Sequence, residues 1–184
     1  MTDKQKTIFI SADHGLAIIY FLQSDLVSTL LKNNIRVVLL TDDTLLDEIQ
    51  KRFGQPGLVV EGLRYKTGND YARKHHPSLQ WWSNYLRRVG TSNRINTEAM
   101  DSYTRQVEAE IQGRQRLMIP VARTLVSLLR HSRSARQYLQ RWQMRFTPGI
   151  YADLFEKYQP DLVVSSTYGW RNDRYLLREA VQQI

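Results

Sequence analysis

The stretch "FISADHGLAIIY", residues 9–20, decides the fold. A short apolar run ends at Ser11-Ala12, then Asp13, His14 and Gly15 arrive together, and apolar residues return at a wider spacing. Residues 7–12, "TIFISA", read as a buried strand because they are short, β-branched and aromatic and are closed by turn chemistry. Residues 16–32 read as a helix, with Leu16, Ile19, Leu22, Leu26 and Leu30 at three- and four-residue spacing and Asn33-Asn34 closing it. The acid, the imidazole and the glycine therefore sit at the hinge between a strand and a helix. Such a hinge either turns the chain and caps the helix or presents His14 and its neighbours to a ligand.

The pattern repeats outward from that hinge. "IRVVLLT", 35–41, reads as a second buried strand. Asp42-Asp43 are placed to cap a helix over 44–53, with Leu45, Leu46, Ile49 and Phe53 inward and Gly54 as its stop. "GLVVEGL", 57–63, reads as a third strand. Continuous apolar strands separated by amphipathic helices predict a parallel sheet covered on both faces, with right-handed crossovers and local order 3-2-1. The expected fold class is α/β, a Rossmann-like parallel sheet with a large helical insertion.

From 64 to 157 no strand pattern occurs. Helices are predicted at "PSLQWWSNYLRRV", with Leu79, Trp82, Leu86 and Val89 on one face, and at "TEAMDSYTRQVEAEIQGRQRLMI", capped by Asn96 or Thr97. Pro120 interrupts the second, and helices over 121–130 and 133–145 follow. Thr147-Pro148 start another, carrying Ile150, Leu154 and Phe155. "PDLVVSS", 160–166, returns to strand, and "NDRYLLREAVQQI" is a helix with Asn172 as cap and Leu176, Leu177, Ala180 and Val181 on its buried side. A doubly wound sheet continues with a strand after such a helix. Residues 1–184 are accordingly expected to form one N-terminal domain, with its insertion at about 64–157, in a longer two-domain protein that continues past Ile184.

The composition, 42% hydrophobic and 24% charged over 184 residues, is that of a single globular domain with a sizeable core. No apolar run approaches the roughly 20 residues of a membrane-spanning helix, and the N-terminus lacks a secretory pattern. The absence of cysteine excludes disulfides, thiolate zinc sites and cysteine nucleophiles, and fits a reducing, cytoplasmic setting.

The net charge of +8 is unevenly placed. Between Glu110 and Asp153 no acid occurs, while Arg114, Arg116, Arg123, Arg130, Arg133, Arg136, Arg141 and Arg145 all do. Arginine suits phosphate and carboxylate, so Arg123, Arg130, Arg133, Arg136 and Arg141 are candidate anion-binding residues, against the alternative of a solvated basic face.

Ligands of open parallel sheets bind beyond the carboxyl ends of the strands, where strand order reverses. If the fourth strand lies beside the first, the loops "SADHGLA" and "SSTYGW" face one crevice. Ser11, Asp13, Gly15, Ser165, Ser166, Thr167, Tyr168, Gly169 and Trp170 are then candidate substrate-binding residues, and His14 is the candidate base. An imidazole takes a proton from a hydroxyl near neutral pH, and a nearby carboxylate stabilises its cation. No G-x-G-x-x-G, phosphate-loop or H-E-x-x-H pattern occurs. His75-His76 read as surface residues, and neither a metal nor a cofactor is expected.

"IFISADHGLA", "NNIRVVLLTDD", "GLVVEGLR" and "LFEKYQPDLVVSSTYGW" together resemble the N-terminal, acceptor-side domain of GT-B-fold glycosyltransferases. The resemblance covers residues 7–63 and 150–184. It implies two Rossmann-like domains across a cleft, an acceptor held here, and a nucleotide-sugar donor held mainly by the other domain. In several inverting members a histidine after the first strand is the general base, a position matched by His14. The resemblance also implies an acceptor that is a carbohydrate or is lipid-linked, an anionic membrane surface as partner of the arginine belt, and no activity from this half alone. Alternatives are half of a nucleotide-sugar epimerase, half of a polymer group transferase, and a non-enzymatic nucleic-acid-binding module, for which Tyr138, Trp142 and Phe146 lie among the arginines. Their spacing equally describes one buried helix face.

Overall fold

The computed structural model describes residues 5–90, 105, 108–109, 113–167 and 173–184. Its strands are β1 (Thr7–Ser11), β2 (Arg36–Thr41), β3 (Leu58–Gly62) and β4 (Leu162–Ser165). They form one parallel four-stranded sheet in the order β3-β2-β1-β4. This is a Rossmann-like α/β arrangement with the expected local order 3-2-1, and β4 lies beside β1, so the order reverses between them.

The Pro160-Asp161 entry to β4 explains why that strand chooses β1. Asp161 donates its backbone N–H to the Thr7 carbonyl at 2.8 Å, and its carboxylate accepts the Thr7 N–H at 2.8 Å. The clamp fixes the register that pairs Phe9 with Val163 and Ser11 with Ser165.

Alternation along the strands builds two cores. Ile8, Ile10, Ala12, Val37, Leu39 and Leu58 face α1 (Gly15–Gln23), α2 (Asp25–Lys32) and α3 (Leu46–Phe53). Phe9, Val38 and Leu40 face the other way, toward α4 (Tyr65–Lys74), α8 (Ala152–Tyr158) and α9 (Arg174–Gln183). Each buried Phe, Leu or Ile contributes about 1.5–3 kcal/mol relative to exposure.

Several local expectations are corrected. The helix read over 16–32 is two helices bent by 48°. Ser24 breaks it, because its extended backbone and hydroxyl cap α2, accepting the Leu26 N–H at 3.4 Å. Leu16, Ile19 and Leu26 are exposed, while Ala17, Ile18, Phe21, Leu22 and Val27 meet the sheet. No single helix among the described residues is long and apolar enough to cross a membrane.

Asp42-Asp43 do not cap α3 with their side chains. Asp42 closes a turn by accepting from Thr44, and α3 starts at Leu46 with no side-chain cap. Asp43 instead accepts the N–H groups of Arg64 (3.1 Å) and Tyr65 (3.0 Å), so it caps α4 across the sheet edge. Gly62 makes this possible, since a Cβ there would stand 2.1 Å from Asp43 Oδ1. Gly62→Ala is therefore expected to destabilise the protein by about 2–3 kcal/mol, through overpacking and a weakened cap. The measurement is urea unfolding, with a lower midpoint at unchanged slope.

The helix expected from Thr147-Pro148 begins at Ala152. It ends at Gln159, whose left-handed backbone (φ 44°) precedes Pro160. Val181, expected on the buried side of α9, is exposed, whereas Tyr175, Leu176, Glu179 and Ala180 are buried.

The chain divides into two compact units, residues 1–73 with 147–184, and residues 74–146. The second contains α5 (Pro77–Gly90), a 3-10 turn (Gly113–Met118), α6 (Ile119–His131) and α7 (Arg133–Gln143). Its core joins Tyr85, Ala122 and Val126 to Trp81, Trp82, Leu86 and Ile119, with the Trp81 and Tyr85 rings stacked at 5.6 Å. Pro120 lies in the first turn of α6, where its missing N–H costs nothing. Leu79 is exposed rather than packed, and Tyr138, placed on the possible buried face, is also exposed. Asn96, Thr97 and Asn172 lie outside the described residues, as does the Val89 side chain.

Candidate functional site

β1 ends at Ser11, and its exit is tied to both neighbours. Ala12 donates its N–H to the Leu40 carbonyl at 2.8 Å, and Ser166 donates to the Ser11 carbonyl at 3.2 Å. The backbone is thereby fixed where strand order reverses, and Asp13 and His14 leave it there. The Tyr65 hydroxyl, delivered by the Asp43-capped start of α4, donates to the Asp13 carbonyl at 3.0 Å.

The Asp13 side chain is fully buried, whereas that of His14 is 32% exposed. His14 Nδ1 stands 2.7 Å from Asp13 Oδ1. A carboxylate only accepts, so Nδ1 carries a proton, and in the neutral imidazole the lone pair is then on Nε2. His14 occupies the N-cap position of α1 without a side-chain capping bond, so its ring is committed to Asp13 and not to the helix end. Asp13 does not cap the helix either. Its Oδ1 also accepts from Ser166 Oγ at 2.9 Å, and its Oδ2 accepts from Thr167 Oγ1 at 3.1 Å.

A second buried carboxylate completes the cluster. Asp173, at the head of α9, accepts from the Ser165 hydroxyl, and its Oδ1 lies 3.0 Å from Thr167 Oγ1, whose one proton it shares with Asp13. Among the described residues no group of three His, Cys, Asp or Glu side chains has a metal-binding arrangement.

The candidate residues therefore divide. Asp13, His14, Ser165, Ser166 and Thr167 are brought together at the switch point. Ser11 lies fully buried beneath them, its hydroxyl without a partner among the described residues. Gly15 is exposed, and no atom of the described residues stands within 4 Å of where a Cβ would be. Tyr168, Gly169 and Trp170 lie outside the described residues. Beside His14, Gly15 opens into a groove of about 570 Å³, including its solvent mouth, between α1 and α3. Ile18, Leu45, Ile49 and Phe53 make it mainly apolar, and Glu48 and Arg52 supply charge.

Sequence reasoning missed Asp173, Tyr65 and Asp43. The signal for Asp173 was its place directly before the last helix, where Asn172 was read as the cap.

The arginines of the inserted unit are unequal. Arg116, Arg133, Arg141 and Arg145 are exposed. Arg123 pairs with Glu108 in a two-pronged bridge at 2.7 and 2.5 Å, which holds the Glu108 carboxyl below the usual carboxylate range. Arg136 turns inward to the Leu129 carbonyl at 3.2 Å. The side chains of Arg114 and Arg130 lie outside those described, as do Glu98 and Asp101.

Comparison with known families, curated proteins and solved structures finds no match.

Proposed function

We propose that this chain is the acceptor-binding half of a glycosyltransferase that moves a sugar from a nucleotide-sugar donor to a hydroxyl acceptor. The observation that carries the reading is the Asp13–His14 pair, 2.7 Å apart at the point where strand order reverses. It is an oriented base whose helper is buried while its own ring reaches solvent.

In this reading the acceptor lies along the α1–α3 groove, where an apolar wall suits a lipid-linked or otherwise hydrophobic acceptor and Glu48 and Arg52 select polar groups. His14 Nε2 takes the acceptor hydroxyl proton as the oxygen attacks the anomeric carbon. The bond from that carbon to the donor phosphate breaks, and the nucleotide leaves with both electrons. Asp13 stabilises the imidazolium that forms. The donor is held mainly by a second Rossmann-like domain, so this half alone turns nothing over. A panel of nucleotide sugars and hydroxyl acceptors, assayed with the two-domain protein by mass spectrometry, tests the assignment. Transfer of a glycosyl mass supports it. Epimerised donor without transfer would favour the related epimerases.

Exposed Arg116, Arg133, Arg141 and Arg145 favour a peripheral membrane role for the inserted unit. The chain is expected to sediment with anionic vesicles at low salt but not with neutral ones, and to be released as salt shortens the Debye length below about 10 Å. Absence of binding at low salt would leave the arginines as a solvated face. Loss of vesicle binding to competing DNA would favour nucleic acid.

A further inference from the structure

The geometry points to Thr167 as a positioning residue for His14, acting through Asp13 and anchored by Asp173. This inference rests on the reading of His14 as the base, and extends it to the group that sets the base's orientation.

Thr167 Oγ1 lies between two buried carboxylates, 3.1 Å from Asp13 Oδ2 and 3.0 Å from Asp173 Oδ1. It has one proton for the two acceptors. Asp13 has a short stem, and among the described residues no Lys or Arg bonds to its carboxylate, so its rotamer is set by His14 and by the hydroxyls that reach it. Ser166 and His14 share Oδ1, and Thr167 holds Oδ2. Without Thr167 only the contacts to Oδ1 resist rotation about the last torsion, a broad and soft one, and the line from Oδ1 to His14 Nδ1 loosens.

The anchoring continues one layer out. The Thr167 backbone N–H donates to Ser165 Oγ at 3.2 Å, and Ser165 in turn donates to Asp173. β4 and the head of α9 thus hold the hydroxyl in place, and sequence-distant elements meet behind a base that belongs to β1. The consequence for the imidazole is a single tautomer, Nδ1–H with Nε2 unprotonated. That is the form a base facing a hydroxyl requires.

The test is a long-range proton–nitrogen spectrum of the His14 ring in this chain, 15N-labelled at histidine and recorded at alkaline pH where imidazole is neutral. Wild type is expected to show the Nδ1–H tautomer alone. Thr167→Val, which keeps the shape and loses the hydroxyl, is expected to show the two nitrogens averaged between tautomers. Thr167→Ser restores the single form. In the two-domain protein Thr167→Val is expected to lower kcat by about 10–100-fold with KM unchanged. Should Thr167→Val fail to fold, Asp173→Asn carries the test. Its amide donates to Thr167 Oγ1 and leaves the threonine proton to Asp13, so the single tautomer is retained.

A single Nδ1–H tautomer in folded Thr167→Val would overturn the inference, as would averaging in Thr167→Ser or in Asp173→Asn. These outcomes are read from the ring alone. They separate a failure of the positioning claim from a failure of the glycosyltransferase reading, which shows only in transfer.

Discussion

On the proposed glycosyltransferase reading, His14→Ala, assayed with the proposed donor domain present, is expected to slow sugar transfer by about 10²–10⁴-fold, the usual contribution of a positioned general base. The fold should be unaffected. The His14 side chain is partly exposed, its hydrogen bond goes to Asp13, and it makes no capping bond to α1. Asp13 keeps its two hydroxyl donors in the variant, so the buried carboxylate is not stranded. Unchanged circular dichroism with a lowered kcat is the predicted pair of results. Turnover within a few-fold of wild type would reduce His14 to an N-cap position.

Glu179→Ala is expected to give the largest loss of stability. Glu179 is 1% exposed, and its two oxygens accept the N–H groups of Ile150 and Tyr151 at 2.8 Å each. These bonds hold the turn that starts α8, on which Tyr151, Leu154 and Phe155 enter the core. Tyr151 also donates its hydroxyl to the Leu63 carbonyl, tying the same turn to the end of β3. Truncation leaves two amides without acceptors, a loss of about 3 kcal/mol or more. A fall in melting temperature of about 6–12 °C is expected for a chain of this size.

The same residue sets a pH dependence. Burial raises the Glu179 carboxyl above its ordinary value, although the backbone N–H bonds oppose the shift. The folded state therefore binds this proton more tightly than the unfolded chain does. Its contribution to stability is complete below the ordinary carboxylate range and is lost as pH rises through the raised value. Asp153 has the opposite sign. Arg64, bonded to it at 2.6 Å on both prongs, lowers its carboxyl, so that contribution is present at neutral pH and lost on acidification. Glu179→Gln should flatten the first slope and leave the second.

The strands were legible because each is a short, continuous, β-branched run bounded by turn residues, and because burial on both faces leaves no polar alternation to confuse the period. Pro160-Asp161 was legible as a strand entry, and its clamp on Thr7 turns that local signal into the strand order. The buried face of α1 was not legible. Its residues are apolar around most of the circumference, so Leu16 and Ile19 matched a helical stripe as well as Ala17, Ile18 and Phe21 did. Ser24 as a break was hidden because serine is tolerated inside helices, and the apolar spacing runs on across it while its hydroxyl caps the N–H of Leu26.

The candidate site was legible in its first layer and illegible behind it. Asp13 and His14 stand next to each other in sequence, at a hinge that the strand pattern locates. Asp173 and Tyr65 reach the same place from α9 and α4, and Asp43 reaches α4 from the far end of β2. The Asp43–Tyr65, Tyr65–Asp13 and Thr167–Asp13 bonds span 22, 52 and 154 positions of sequence, over which no local spacing rule applies.

The most direct measurement of the central claim is a titration of this chain, 15N-labelled, with glycosyl acceptors and separately with nucleotide sugars. The account predicts that a hydroxyl acceptor shifts the His14 ring, the Gly15 amide and the amides of Ile18 and Ile49 saturably, while a nucleotide sugar alone does not. Saturable shifts at these positions from the nucleotide sugar, with none from any acceptor, would contradict it.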